Sequence, residues 1–174
     1  MLIRDRSPAD GEQLGTIAKQ THLLDGYPKY LPSDVTSFVM DPDALRGWVA
    51  EDNGEIVGHV ALHGRSAAEV MAVARSATGL DDARLVVLAR LLVAPHARER
   101  GVGRALVGHA TSEAAAMGRR AVLDVVIDHK NAIALYERCG WSRVGEVEWF
   151  LPDGRPLQEL VFVSPPSSPL RHGR

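Results

Sequence analysis

The 174-residue sequence holds one cysteine, Cys139, so no disulfide can form within the chain and a cage of thiolates around a metal is excluded. No uncharged apolar run approaches the ~20 residues of a membrane span. Neither sign of charge dominates: the net charge is −2, and no global field draws nucleic acid or anionic lipid, although a local basic cluster can still bind a polyanion. Aromatic residues are few, at 5%, beside 45% hydrophobic and 24% charged residues, the balance of an ordinary soluble globular chain. Met1-Leu2-Ile3-Arg4-Asp5-Arg6 has no apolar core behind a basic start and reads as no signal peptide. A reduced, cytoplasmic setting is expected, with no metal, no nucleic acid and no membrane partner.

What is present is an alternation of short apolar runs with helical segments. Strands are expected at residues 2–6, 44–50, 55–63, 85–93, 121–127, 141–150 and 157–163, seven in all. Asn53-Gly54 joins the second and third as a hairpin. Helices are expected from Pro8 to about His22, with Leu14, Ile17 and Ala18 on one face; from Ser33, briefly; at residues 66–78; and at residues 131–139. Val102–Met117 reads as an amphipathic helix with Leu106, Ala110, Ala114 and Met117 on one side, stopped by Gly118. The pattern indicates a single α/β or α+β domain over residues 1–163. The segment 164–174, with Pro165, Pro166 and Pro169, is expected to be a disordered tail.

One stretch carries chemistry. Leu91-Leu92-Val93 ends a strand, Ala94 to Gly103 forms a basic glycine loop, and a helix follows. Gly101 and Gly103 have no side chains to block a ligand, so backbone N–H groups can turn toward it. They sit at a helix N-terminus, where unpaired N–H groups and the helix dipole favour an anion. Arg98, Arg100 and Arg104 add positive charge. These features predict a bound phosphate group. A Walker loop needs a Lys-Ser/Thr ending that is absent, and a dinucleotide fingerprint needs glycine or alanine where Leu106 stands. The plain alternative is a strand-to-helix turn solvated by arginines.

Arg98-x-x-Gly101-x-Gly103 after a strand ending in Val93 resembles the acyl-CoA signature of the GNAT N-acetyltransferase superfamily. A second block agrees: Leu123-Asp124-Val125-Val126, then Asn131 to Trp141 containing Tyr136-Glu137-Arg138-Cys139-Gly140-Trp141, is similar to that family's strand–helix segment ending in Tyr-x-x-x-Gly-aromatic. Together the blocks cover roughly residues 85–141. The resemblance implies a mixed, mostly antiparallel central sheet flanked by helices, with two central strands splayed apart. It also implies acetyl-CoA, or another acyl-CoA, as co-substrate, and transfer to a primary amine of a small molecule or a protein by direct attack in a ternary complex. The backbone of Leu92 and Val93 would pair with the pantetheine arm. Arg98 and Arg100, with the N–H groups of Gly101, Val102, Gly103 and Arg104, would hold the pyrophosphate, and Asn131 and Tyr136 would face the cofactor. Asn131 reads equally well as a helix N-cap.

Tyr136 is the candidate general acid for the departing thiolate, since a phenol of pKa ~10 can protonate a thiolate whose acid has pKa ~8.5. Its alternative is a core aromatic. Some family members carry a glutamate where Arg90 stands. Asp124, twelve residues before Tyr136, matches a position where relatives that acetylate protein N-termini carry a glutamate, and it is the candidate base; Glu148, His59 and a water chain remain open. Asp25, Tyr27 and Tyr30 lie in a turn-rich loop suited to covering the acceptor, or simply to anchoring itself. Arg90 favours an anionic acceptor and Asp25 a cationic one. His59 and His63, four apart, share a strand face without a third ligand, so packing beside Gly58 is expected rather than metal binding. A non-catalytic acyl-CoA sensor or regulatory module is the rival reading, and exposed strand edges permit a homodimer.

Overall fold

The computed structural model of the chain describes residues 1–29, 31–151 and 153–166. Tyr30 and residues 167–174 lie outside the described residues. The order is β1 (Leu2–Asp5), α1 (Gly11–Asp25), α2 (Val35–Val39), β2 (Ala44–Asp52), β3 (Glu55–His63), α3 (Ala68–Thr78), β4 (Leu85–Val93), α4 (Val102–Ala116), β5 (Arg120–Val126), α5 (Lys130–Arg138), β6 (Ser142–Phe150) and β7 (Pro156–Val163). Seven strands with flanking helices make this the α/β fold that the element pattern indicates. The chain forms two compact units, one of residues 1–64 and 87–110, the other of residues 65–86 and 111 onward. Each is assembled from two stretches, so the units are not domains in series.

In the first unit β1, β2, β3 and β4 pair in that order, each pair antiparallel. Asn53 and Gly54 both have positive φ, 52° and 82°, which the tight β2–β3 hairpin requires. The helix expected from Pro8 opens as a single 3₁₀ turn, Pro8–Asp10, and continues as α1 for three residues beyond His22. Asp10 tightens that entry: its carboxylate accepts the Ser7 N–H at 2.6 Å and pairs with the Arg4 guanidinium at 2.9 Å. Leu14, Ile17 and Ala18 of α1 are buried as their spacing predicts.

In the second unit β7 lies between β5 and β6, antiparallel to both. Pairing of Asp124 with Val161 and of Val126 with Glu159 puts Asp124, Val126, Glu159 and Val161 on one face. α3 covers that face: a Cβ on Gly145, which pairs with Val161, would stand 2.6 Å from Val73 Cγ1. α5 covers the other face, where Tyr136 meets Phe162 and Trp141 at ring-centroid distances of 6.1 and 5.9 Å.

Leu106, Ala110 and Ala114 of α4 are buried, but Met117 is not on their stripe: α4 ends at Ala116 and Met117 is 38% exposed. Ser164, where a disordered tail was expected, is buried. Its N–H reaches the Ala121 carbonyl at 2.8 Å, its hydroxyl accepts the Ala121 N–H at 3.1 Å, and its carbonyl accepts Arg120 Nε at 2.8 Å. The packed chain therefore runs past β7. Among the described residues no helix is long and apolar enough to cross a membrane.

Candidate active site

β4 is irregular at its centre. Its register with β3 shifts between the pairs Ala61–Ala89 and His59–Leu92, and Arg90 has φ 55°, a value costly for a residue with a Cβ. His59, wholly buried, holds this bulge. Its Nδ1 lies 2.8 Å from the Arg90 carbonyl and its Nε2 lies 3.2 Å from Arg6 Nη1. A guanidinium only donates, so Nε2 accepts and Nδ1–H donates to Arg90. Burial above all pushes the His59 imidazolium down to about 4, and the Arg6 charge adds to it. His59 is thus a neutral brace for the bulge. Arg6 also ties down the segment after α2, donating to the Val39 carbonyl at 2.6 Å and the Asp41 carbonyl at 2.8 Å.

Beyond the bulge, Leu92 and Val93 return to register opposite His59 and Gly58. A 3₁₀ turn, Pro95–Ala97, leads into the basic loop; Glu99 and Gly101 take φ of 61° and 82°, and α4 begins at Val102. The positive φ at Gly101 reverses the chain so that the N-terminal turn of α4 follows at once. The first-turn N–H groups of Val102, Gly103 and Arg104 have no acceptor inside a helix, the kind of position that favours an anion. Close packing fixes the start of α4 against β3: a Cβ on Gly58 would stand 2.8 Å from Leu106 Cδ1, 2.9 Å from the Leu92 carbonyl oxygen and 3.0 Å from Val102 Cγ1.

The arginines of the loop are held by carboxylates. Arg98 makes a two-pronged pair with Asp25 at the end of α1, one prong at 3.0 Å, and Arg100 Nη2 meets Asp52 at 2.7 Å. The Arg100 bond holds the Asp52 carboxyl below its ordinary value. Asp25 is therefore the carboxylate partner of Arg98. Tyr27 follows it, half-buried. Arg90 stacks on the Phe38 ring at 3.9 Å and donates Nε to the Phe38 carbonyl at 3.2 Å. Its Nη2 stands 4.0 Å from Asp41, which also faces His63 at 3.7 Å.

In the second unit Asp124 sits half-buried on β5 and accepts the Ser66 hydroxyl at 3.2 Å. Glu159 of β7 lies on the same face, diagonal to Asp124 across the β5–β7 pair. Trp149 Nε1 of β6 donates to Glu159 Oε2 at 2.7 Å. Burial, and after it the Asp124 charge, pushes Glu159 up to about 7. Tyr136 is 7% exposed on α5. Asn131 is exposed in the first turn of α5, one residue past its start, so the N-cap reading gives way to His129 at that position. Glu148 lies on β6 next to Trp149, so its side chain points to the face opposite that of Glu159. Glu159 and Arg6 were missed in the sequence. A lone glutamate in an apolar strand was the available signal for Glu159; nothing local marked Arg6.

The chain belongs to the acetyltransferase (GNAT) family, whose model matches residues 13–141. Over 135 residues it is 31% identical to the N-acetylaspartate synthetase of Danio rerio, a match covering 75% of this chain and 42% of that protein, so the chain spans less than half of that relative's length. The fold is that of the ribosomal-protein-alanine N-acetyltransferase of Brucella melitensis, with a TM-score of 0.72 at 21% identity, covering 94% of this chain and 99% of the other. It is also that of an aminoglycoside 6'-N-acetyltransferase complexed with coenzyme A, with a TM-score of 0.64 at 17% identity over 94% and 96% of the two chains.

Proposed function

We propose that this GNAT-family protein moves an acetyl group from acetyl-CoA to a primary amine of a carboxylate-bearing acceptor, by direct attack of the amine in a ternary complex. The observation that carries the reading is the basic loop from Arg98 to Arg104, opening α4 and locked to β3 at Gly58. Its first-turn N–H groups, with Arg98 and Arg100, hold the pyrophosphate. The backbone of Leu92 and Val93 takes the pantetheine arm, and Asn131 lies along the cofactor. Acetyl-CoA supplies an activated acyl group, and holding it beside the amine supplies much of the acceleration. Asp124 takes a proton from the acceptor's ammonium group, and the Tyr136 phenol protonates the departing thiolate.

The acceptor class rests on Arg90. Its guanidinium is positioned by the Phe38 ring and only loosely met by Asp41, so it can bind an acceptor carboxylate. The name of the zebrafish relative, a synthetase of N-acetylaspartate, supports an acidic acceptor. Tyr27 is proposed to cover the acceptor.

Thiol release from acetyl-CoA, measured across a panel of amines, tests this. Amino acids with acidic side chains should be turned over faster than aminoglycosides or uncharged amines, and Arg90→Ala should raise their KM selectively. A preference for polycationic amines, unchanged in Arg90→Ala, would reject the carboxylate-bearing acceptor.

A further inference from the structure

The proposed reaction leaves one problem of physical chemistry. An amine acceptor is almost wholly protonated at neutral pH, with a pKa of ~10.4 for a lysine-like amine, whereas a lone aspartate has a pKa of ~3.9 and is too weak a base to relieve it. The second unit contains an arrangement that closes part of this gap. Asp124 and Glu159 come from adjacent antiparallel strands, on the same face, two residue pairs apart in register. That diagonal placement across the β5–β7 pair brings the two carboxyl groups within reach of each other. Each has a further donor of its own: Ser66 Oγ at 3.2 Å from Asp124, and Trp149 Nε1 at 2.7 Å from Glu159.

We infer that Asp124 and Glu159 work as one proton-accepting unit, in which Asp124 receives the acceptor's proton and Glu159 is the positioning residue that makes the unit basic enough to take it. The inference rests on the acetyl-transfer reading above. The groups facing Glu159 are Asp124 from β5 and Trp149 from β6, with Ser66, from the segment before α3, beyond Asp124; Asp124 is the charged group that acts on it. Two carboxylates held this close cannot both stay ionised at low pH, so the first proton is bound far more tightly than by either alone. The competent form is the doubly ionised pair. It takes one of the two protons that the nitrogen loses on becoming an amide, and the other ends on the departing thiolate. The resulting carboxyl–carboxylate hydrogen bond holds the accepted proton until it passes to solvent before the next turnover. The Trp149 bond works against this, since a donor to Glu159 favours its charged form, and it keeps the unit near neutral pH.

The pair predicts a titration near pH 7 in the intact chain, followed by NMR of the side-chain carboxyl carbons, and an acid limb of kcat/KM that tracks it. Glu159→Gln, nearly isosteric, should move the limb down by at least one pH unit. Trp149→Phe should move it up, a direction that loss of folding would not give. Asp124→Asn should abolish the limb and most of the activity. An acid limb that stays where it is in Glu159→Gln, with the carboxyl step gone from the NMR titration, would overturn the inference, as would a wild-type limb in Asp124→Asn. A folded chain that releases no thiol from acetyl-CoA with any amine overturns the enzymatic reading and this one with it. A titrating pair that activity ignores overturns this one alone.

Discussion

Asp124 and Tyr136, twelve residues apart in the chain, stand on opposite faces of the same three strands: Asp124 faces the α3 side with Val161 and Glu159, and Tyr136 faces the α5 side with Phe162. A turn from strand into helix produces this, because Asp124 projects from β5 while α5 folds back across the other face. In direct attack on a thioester the nitrogen must lose a proton and the departing thiolate must gain one, and the proposed function assigns these two transfers to Asp124 and Tyr136.

From this arrangement Tyr136→Phe should lower kcat by about 10²-fold or more. The dissociation constant for acetyl-CoA should hardly change. Calorimetry beside steady-state rates checks the split; a lost affinity with unchanged turnover would remove the acid role.

Arg98 is paired in the free protein with Asp25, and the proposal has it exchange that partner for the pyrophosphate. Arg98→Ala removes charge-assisted bonds worth roughly 1.5–3 kcal/mol, so affinity for acetyl-CoA should fall by about 10- to 100-fold. Asp25→Asn should instead leave that affinity unchanged or raise it, because it removes the competitor. Fluorescence or calorimetric titration of both variants reads the difference.

Gly58 sets the distance between β3 and the start of α4. Gly58→Ala places a methyl group against Leu106, Val102 and the Leu92 carbonyl, all within 3.0 Å of the new Cβ. Overpacking of this kind costs about 1–3 kcal/mol. Thermal unfolding should show that loss, and the KM for acetyl-CoA should rise with it, because the displaced elements carry the proposed phosphate site.

Stability should depend on pH through two groups of opposite sign. His59 is held neutral, pushed down to about 4 from 6.5, so its contribution is complete above pH 6.5 and is lost as pH falls toward 4. Glu159 is raised to about 7 from 4.5, so its contribution is complete below pH 4.5 and is lost as pH rises toward 7. Glu159→Gln should therefore raise the melting temperature at pH 8 relative to its effect at pH 4.5. Denaturation curves across that range test the sign.

Much of this architecture was legible in the sequence because its signals are local. Asn53-Gly54 marked the hairpin, the unbroken apolar run marked β4, and the glycines around Val102 marked the start of α4. Leu14, Ile17 and Ala18 lie inward as their spacing requires. Contacts between distant segments were not legible. The bulge at Arg90 depends on His59 and Arg6, residues 31 and 53 positions distant from their partners in the bonds that form it. Glu159 meets Asp124 only because β7 enters beside β5 in one register, and a strand's own sequence does not state its register. Met117 was assigned to the buried stripe of α4 because its spacing fits that stripe, but the helix ends one residue earlier, at Ala116, and the chain turns away through Gly118 at φ 70°.

The central claim is that the loop from Arg98 to Arg104 binds acetyl-CoA. Thermal unfolding of the full chain with acetyl-CoA, and with NAD as the control, tests it most directly. At a hundred times the dissociation constant, acetyl-CoA should add ~2.7 kcal/mol of stability, a shift of several degrees, while NAD gives none. No shift with acetyl-CoA in folded, ligand-free protein, or an equal shift with NAD, would contradict the account.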